Sequence, residues 1–207
     1  MIIVTTPMCE KILEFAGIND YKVNKNPDDE KGDLAILLSE SKTKMKSLKI
    51  KLNTFSQIYN SIIEVSKYNS HKFKNEDTIE NNTTEIFSSY PLAKLWLNTS
   101  KKKELQEKNS KTKVKVYSKF LLDIVKDMGF KIVDFDNNGI DSDNIDEITA
   151  DVDYIIYPDY MEITEDNSIK NENNKYKYKI ISIPTHKNVP KDPIKRAELR
   201  YYLLTKL

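Results

Sequence analysis

Five consecutive apolar residues, Leu34-Ala35-Ile36-Leu37-Leu38, predict a strand that is buried on both faces. A second apolar strand is predicted at Ile2-Ile3-Val4. Between them the pattern predicts a helix that begins near Met8 and stops at Gly17. A strand, a helix and a second strand in this order form a βαβ unit with two parallel strands.

The rest of the first half continues this pattern. Alternating apolar residues at Leu48, Ile50 and Leu52 predict a third strand, and Thr54 is the predicted N-cap of the helix that follows. From residue 68 to 89 the composition turns to Asn, Lys, Glu and Thr, which is typical of a linker or a large loop. Pro91 then starts an amphipathic helix.

The second half repeats the order of the first. A strand at Val114 and Val116 precedes a helix that Gly129 stops, and buried strands follow at residues 154–157 and 180–183. Asp192-Pro193 supplies the cap and first turn of a closing helix. The fold class is therefore predicted as α/β, with two related βαββα units whose sheets are rich in parallel strands. Chance matches between generic α/β patterns are the alternative at this stage.

The predicted organisation is an N-terminal α/β lobe over 1–68, a polar linker plus a connecting helix over 69–112, and a C-terminal α/β lobe over 113–207. With 207 residues and 39% apolar content the chain can bury a sizeable core. Charged residues interrupt the first apolar residues, and no later run reaches membrane length, so neither a signal peptide nor a membrane span is expected. A single cysteine excludes an intramolecular disulfide and favours a reducing, cytoplasmic location.

The distribution of charge bears on partners. A net charge of +1 argues against a nucleic-acid binder. Lysines crowd residues 101–115 and carboxylates crowd residues 134–166. These two segments are either solvated surfaces or a docking face for a protein partner.

The segment 113–157 resembles a lobe of the cobalamin and iron-chelate substrate-binding proteins, whose lobes are similar to those of nitrogenase-like proteins. The residues that carry the resemblance are Ser118 after the first strand, the leucine-rich helix ending at Gly129, and the strand Asp153-Tyr154-Ile155-Ile156. Thr6-Pro7 through Leu38 is similar in outline. The whole chain also looks like an uncharacterised conserved archaeal protein of methanogen type, on the segments Thr5-Thr6-Pro7-Met8-Cys9 and Pro184-Thr185-His186. That resemblance implies no catalytic residues.

Ligands of open parallel sheets bind beyond the carboxyl ends of the strands, where loops and helix N-termini converge. Small polar residues occur there also to cap the next helix, so both explanations stay open. The sequence places these candidate ligand-binding residues at such ends or on the closing helix: Thr5, Thr6, Ser39, Glu40, Ser118, Asp159, Thr185 and Arg196. A small anionic ligand or a protein's acidic patch would suit Arg196 and its basic neighbours.

Cys9 and His186 are the candidate catalytic residues. A thiol in the first turn of a helix is expected to be partly accessible and to have a pKa about one unit below that of a free cysteine. His186 could act as its base. An inert buried cysteine is the alternative.

No motif identifies a reaction. The sequence has no glycine-rich phosphate loop, no GxSxG, no HExxH and no paired CxxC, and it predicts no metal site. The cofactor is unknown, and whether the protein is an enzyme is undecided. Three functions remain open: an intracellular ligand- or partner-binding accessory protein linked to archaeal cofactor or energy metabolism, a thiol-dependent enzyme using Cys9 with His186, or a structural subunit.

Overall fold

The computed structural model describes residues 1–69, 75–136, 152–161, 178–185 and 189–207. Its strands are β1 (Ile3–Thr5), β2 (Tyr21–Val23), β3 (Leu34–Leu38), β4 (Ser47–Ile50), β5 (Lys113–Tyr117), β6 (Lys131–Asp136), β7 (Tyr154–Pro158) and β8 (Lys179–Ile183). Its helices are α1 (Glu10–Phe15), α2 (Phe55–Ser66), α3 (Glu76–Ser88), α4 (Pro91–Leu97), α5 (Thr99–Asn109), α6 (Lys119–Asp127) and α7 (Pro193–Leu204). None of these helices is long and apolar enough to cross a membrane.

The chain divides into two structural units. The N-terminal unit comprises Met1–Lys94 and Pro190–Glu198, and the C-terminal unit comprises Leu95–Val189 and Leu199–Leu207. The closing helix α7 is therefore shared between them. Its predicted apolar face is confirmed, because the structure buries Ile194, Ala197, Tyr201 and Leu204.

The N-terminal unit is built on a four-stranded sheet in the order β2-β1-β3-β4, with every neighbouring pair parallel. The apolar run that predicts β3 is buried from Leu34 to Leu37, because β3 lies inside the sheet between β1 and β4. Ile3 pairs with Leu34 in the register of β1 and β3. Thr54 caps α2 as predicted: its hydroxyl accepts the amide of Gln57 at 3.2 Å, and Gln57 Oε1 accepts the amide of Thr54 at 3.3 Å.

The C-terminal unit repeats this sheet as β6-β5-β7-β8, again with every neighbouring pair parallel. The pairing of β5 with β6 shifts register between Val114 and Lys115. Ile155 and Ile156 of β7 are buried, as expected for an inner strand. The prediction of an α/β fold with two related, parallel units is confirmed.

Local hydrogen bonds repeat along with the strand order. Asp33 Oδ2 accepts the amide of Ile2 at 2.6 Å, and Asp153 Oδ2 accepts the amide of Lys113 at 2.7 Å. Each aspartate lies just before an inner strand and bonds the residue at the start of the neighbouring strand. The same hydrogen bond therefore recurs at equivalent positions of both units, which supports their relation more strongly than the apolar pattern alone.

The two helix-ending glycines also match. Gly17 has φ of 70° and Gly129 has φ of 80°, in the left-handed region where side chains with a Cβ are strained. In each unit the residue after the glycine donates its amide to the helix, from Ile18 to the carbonyl of Leu13 and from Phe130 to that of Val125. The predicted helix stops are confirmed.

Each unit contains a strand that the sequence pattern missed, so the order of the described elements is βαβββα rather than βαββα. The missed strands, β2 and β6, are edge strands of their sheets. β2 is only three residues long, and the structure leaves Lys22 and Val23 exposed, so no buried face marks it in the sequence. An edge strand with one neighbour needs less apolar surface than an inner one.

The linker predicted over 68–89 is in fact largely a helix, α3. Asn75 caps it by accepting the amide of Thr78 at 2.9 Å, and Ile79, Thr83 and Phe87 are its buried residues. The sparse apolar positions explain why composition pointed to a loop. The amphipathic helix predicted at Pro91 is present as α4.

Candidate functional site

The end of β1 brings together two predicted ligand-binding residues with different surroundings. Thr5 is fully buried, and its hydroxyl donates to the carbonyl of Ile36 at 2.8 Å. That hydroxyl is therefore used within the sheet. Thr6 is half-buried, and its carbonyl accepts the amides of Cys9 at 2.9 Å and Glu10 at 3.1 Å, which starts α1.

The predicted accessibility and acidity of Cys9 are wrong. The residue is the N-cap of α1, but its side chain is 0% exposed. Burial raises the pKa of the thiol from 9.0 to about 11, against the smaller opposing effects of its hydrogen bonds with Thr6 and with the backbone of Leu38. Packing in the core outweighs the helix start, because a thiolate without solvent costs more free energy than the one short helix returns.

Ser39 and Glu40 follow β3 as predicted. Ser39 is half-buried, Glu40 is exposed, and the Ser39 hydroxyl donates to Glu40 Oε1 at 2.6 Å. The amide of Ser39 donates to the carbonyl of Ile50, which holds the end of β3 against the end of β4. The position places a carboxylate in solvent at the carboxyl edge of the sheet.

In the C-terminal unit the structure joins Asp159, which follows β7, to Thr185, which follows β8. Asp159 Oδ1 accepts the amide of Thr185 at 3.0 Å and also its hydroxyl proton. Arg200 of α7 also binds the segment after β8. Its Nε donates to the carbonyl of Pro184 at 3.0 Å, and its Nη2 donates to the carbonyl of Thr185 at 3.0 Å. Thr185 is buried, whereas Asp159 stays exposed. His186 lies outside the described residues, so its predicted pairing with Cys9 stays a prediction.

Ser118 connects β5 to α6. Its hydroxyl accepts the amide of Leu121 at 3.4 Å, and the residue has φ of 147° and ψ of 147°, a region that is rare outside glycine. The side chain is 7% exposed. Ser118 is therefore a helix cap in a strained conformation.

Arg196 lies on α7 within the N-terminal unit. Its side chain is 3% exposed, and Nη1 donates to the carbonyl of Pro190 at 3.3 Å. Burial lowers the pKa of the guanidinium, and the nearby Asp192 and Cys9 act in the opposite direction. Cys9 and Arg196 are thus brought into one electrostatic neighbourhood, although they are distant in sequence.

The polar side chains at the strand ends are of two kinds, those bonded inside the fold and those exposed to solvent. Three hydroxyls are used in internal hydrogen bonds, with the backbone or with Asp159: those of Thr5, Ser118 and Thr185. The side chains of Glu40 and Asp159, by contrast, are exposed to solvent. The sequence analysis did not predict that Arg200 would bind the segment after β8. Its only signal was an arginine one helical turn after Arg196 on the closing helix. Within the described ranges, no three side chains of His, Cys, Asp or Glu come together in a way that could hold a metal ion.

The fold as a whole is similar to those of solved bacterial binding proteins. The laminin-binding protein Lbp of Streptococcus pyogenes is 12% identical with a TM-score of 0.57, covering 99% of this chain and 97% of that one. The metal-dependent lipoprotein YcdH from Bacillus subtilis is 12% identical with a TM-score of 0.56, covering 100% and 98%. An Mn-bound periplasmic metal binding protein from Candidatus Liberibacter asiaticus is 8% identical with a TM-score of 0.55, covering 99% and 98%.

No protein-family model matches the chain, and no curated protein matches it. The predicted resemblance to lobes of binding proteins finds loose support in these matches, which concern the fold alone. Identities of this size establish a shared fold only, so what the matched proteins bind is a property of those proteins.

Proposed function

We propose that this chain is a ligand-binding protein that uses the substrate-binding-protein fold and takes its ligand at the carboxyl ends of its parallel strands. The fold match over the full chain supports the proposal. So does the general rule that open parallel sheets bind ligands where the strands end and loops converge.

The observation that carries the proposal is the repeated organisation of these ends. In each unit the residue after the inner strand donates its amide to the carbonyl of the edge strand, from Ser39 to Ile50 and from Asp159 to Ile183. In each unit an exposed carboxylate, Glu40 or Asp159, follows that strand. Rigid backbone with exposed polar side chains is what a preorganised binding site needs.

The structure does not favour the thiol-dependent enzyme. A thiol that is 0% exposed with a pKa of about 11 is almost entirely protonated at neutral pH, so it is a poor nucleophile. A structural subunit without a site is the remaining alternative. An intracellular location and a role in archaeal metabolism stay predictions from the sequence.

The experiment is thermal unfolding of the full chain with a panel of ligand classes, followed by native mass spectrometry of each stabilised complex. The panel contains Mn²⁺, which is named for one of the matched proteins, and Zn²⁺ as a second divalent metal ion. It also contains small carboxylates, phosphates and neutral sugars. A ligand at one hundred times its Kd stabilises by about 2.7 kcal/mol. For a chain of this length that raises Tm by roughly 5–11 °C.

The variants Glu40→Gln and Asp159→Asn test the position of the site, and Glu85→Gln on the exposed face of α3 is the matched control. We expect the ligand-induced shift to fall in at least one of the first two and to survive in the control. A panel without any shift or complex would favour a structural subunit. A shift that both strand-end variants leave intact would move the ligand away from the strand ends.

A further inference from the structure

Arg196 is a buried cation that forms no salt bridge with any carboxylate of the described residues. Its side chain is 3% exposed, and no carboxylate of the described residues comes within 4.0 Å of its guanidinium. A buried charge that lacks an ionic partner costs free energy, and proteins rarely keep one unless it is paired. The burial of this guanidinium therefore needs a structural or functional explanation.

Two acidic groups lie in the electrostatic neighbourhood of Arg196, Asp192 and Cys9, and neither forms a salt bridge with it. Asp192 uses Oδ1 to accept the amides of Ile194 at 2.8 Å and Lys195 at 3.1 Å, and Oδ2 to accept the Tyr90 hydroxyl at 2.7 Å. Asp192 is thus the N-cap of α7 and a partner of Tyr90. Burial raises the pKa of the Cys9 thiol to about 11, so this group is neutral at physiological pH.

Arg196 also has unused hydrogen-bond donors that solvent can reach. A guanidinium has five N–H donors, and here a single side-chain bond, to the carbonyl of Pro190, is made. In the part of the chain that the structure describes, Ser66 Oγ alone is a fully buried side-chain polar atom without a partner. The remaining nitrogens of Arg196 are therefore not completely sealed from solvent.

Arg200, one turn further along α7, is a buried arginine with a structural role and serves as a comparison. It is 5% exposed, its Nε and Nη2 each donate to a backbone carbonyl, and its guanidinium carbon lies 5.0 Å from the centre of the Phe120 ring. Burial is similar for the two arginines. Arg200 fixes a loop, whereas Arg196 has only the single bond to Pro190.

We infer that Arg196 binds the oxyanion group of the ligand, a carboxylate or a phosphate, in the N-terminal unit. The inference rests on the proposed ligand-binding function and names the chemical class of the ligand. A planar guanidinium can donate two parallel hydrogen bonds to either oxyanion, and the bound anion would supply the close ionic partner that the described residues do not provide. Cys9 and the end of β1 would line the site as neutral neighbours.

The test is a titration of the full chain followed by NMR of the arginine side chains labelled with ¹⁵N. Arg196 and Arg200 are the two arginines of the sequence, so the spectrum contains one reporter and one internal control. Acetate and inorganic phosphate are the probes, with a neutral sugar as the negative control. We expect a saturable shift of the Arg196 Nε resonance with at least one anion and an unmoved Arg200 resonance.

Variants then separate charge from geometry. Arg196→Met keeps the apolar stem and should lower anion affinity by about thirtyfold or more, as truncating one partner of a buried charge pair does. Arg196→Lys keeps the charge but loses the two-point geometry, and we expect about a tenfold loss. Lys195→Met removes the same charge from the exposed face of α7 and should change affinity less than twofold, by about the effect of a rim charge.

The outcomes distinguish this inference from the function on which it rests. A linear shift, equal shifts of both arginines, or equal losses in Arg196→Met and Lys195→Met would overturn the assignment of Arg196. Tight binding of a neutral sugar or a metal ion that Arg196→Met leaves unchanged would also overturn it, while the proposed ligand-binding function would stand. The titration of the unaltered chain needs no variant, so a misfolded variant would not prevent a decision.

Discussion

Replacing Asp127 with Asn should weaken the C-terminal unit by removing the charge at the centre of a buried network. Asp127 ends α6, and its carboxylate accepts Trp96 Nε1 at 2.6 Å, the Tyr201 hydroxyl at 2.5 Å and Lys102 Nζ at 2.7 Å. Its side chain is 15% exposed, so solvent screens these contacts only in part.

The magnitude follows from what an amide can still accept. Asn keeps one carbonyl oxygen, so one or two of the three donors lose their acceptor and the ion pair with Lys102 disappears. Hydrogen bonds to a charged group contribute about 1.5–3 kcal/mol each, and partial exposure reduces the part due to Lys102. We expect Asp127→Asn to lower the free energy of unfolding by about 2–4 kcal/mol. That corresponds to a fall in Tm of roughly 4–16 °C.

Urea unfolding followed by tryptophan fluorescence and by circular dichroism is the assay. Trp96 is the only tryptophan, and its indole N–H is one of the bonds that change, so its emission reports on the network directly. Glu104→Gln on the exposed part of α5 is the control and should shift stability by less than about 0.5 kcal/mol. A loss for Asp127→Asn no larger than that of the control would refute the argument that this carboxylate holds the three donors.

Three further predictions concern stability and reactivity. Gly129→Ala should lower the free energy of unfolding by about 2–4 kcal/mol, measured by urea unfolding, because φ is +80° and a Cβ would lie 2.7 Å from Gln106 Cα. A loss below about 1 kcal/mol would show that α5 can move away. Cys9 should react with a thiol reagent only after unfolding. The pKa of its thiol is 9.0 in the unfolded chain and about 11 in the folded one. The resulting contribution to the free energy of unfolding is complete below pH 9.0 and is lost as the pH rises to about 11. Comparison with Cys9→Ala between pH 8 and 11 isolates this loss, which reaches about 2.7 kcal/mol at most, and a pH dependence shared by both proteins would exclude it. Ser66→Ala should be neutral or stabilise by up to about 1 kcal/mol in thermal unfolding, because its buried hydroxyl has no hydrogen-bond partner among the described residues; a clear destabilisation would reveal a bond for it.

Secondary structure could be predicted wherever one local rule dominates. Thr54, Asp192-Pro193, Gly17 and Gly129 mark helix ends through cap chemistry that depends on neighbours in sequence, and the structure confirms each of them. The missed elements lack such signals. β2 is short and half-exposed, and α3 has Ile79 and Phe87 as its buried apolar residues, so neither shows a continuous apolar face.

The candidate site was predictable in position but not in environment. Strand-end residues such as Ser39 and Asp159 follow from the strand pattern, because parallel strands end at one edge. Whether a polar group at such an end is free or engaged depends on contacts between distant segments. Thr185 is engaged by Asp159 and Arg200, which no local pattern indicates.

The sequence by itself therefore determined the repeated α/β units, the parallel strands and the helix ends, since these follow from apolar periodicity and local caps. Only the tertiary structure decided that Cys9 is sealed in the core and that Arg196 lies buried in its electrostatic neighbourhood, with no described carboxylate in salt-bridge range. Burial is a property of what packs against a residue. Cys9 and Arg196 come from opposite ends of the chain, the start of α1 and α7, and they approach each other only when the fold forms.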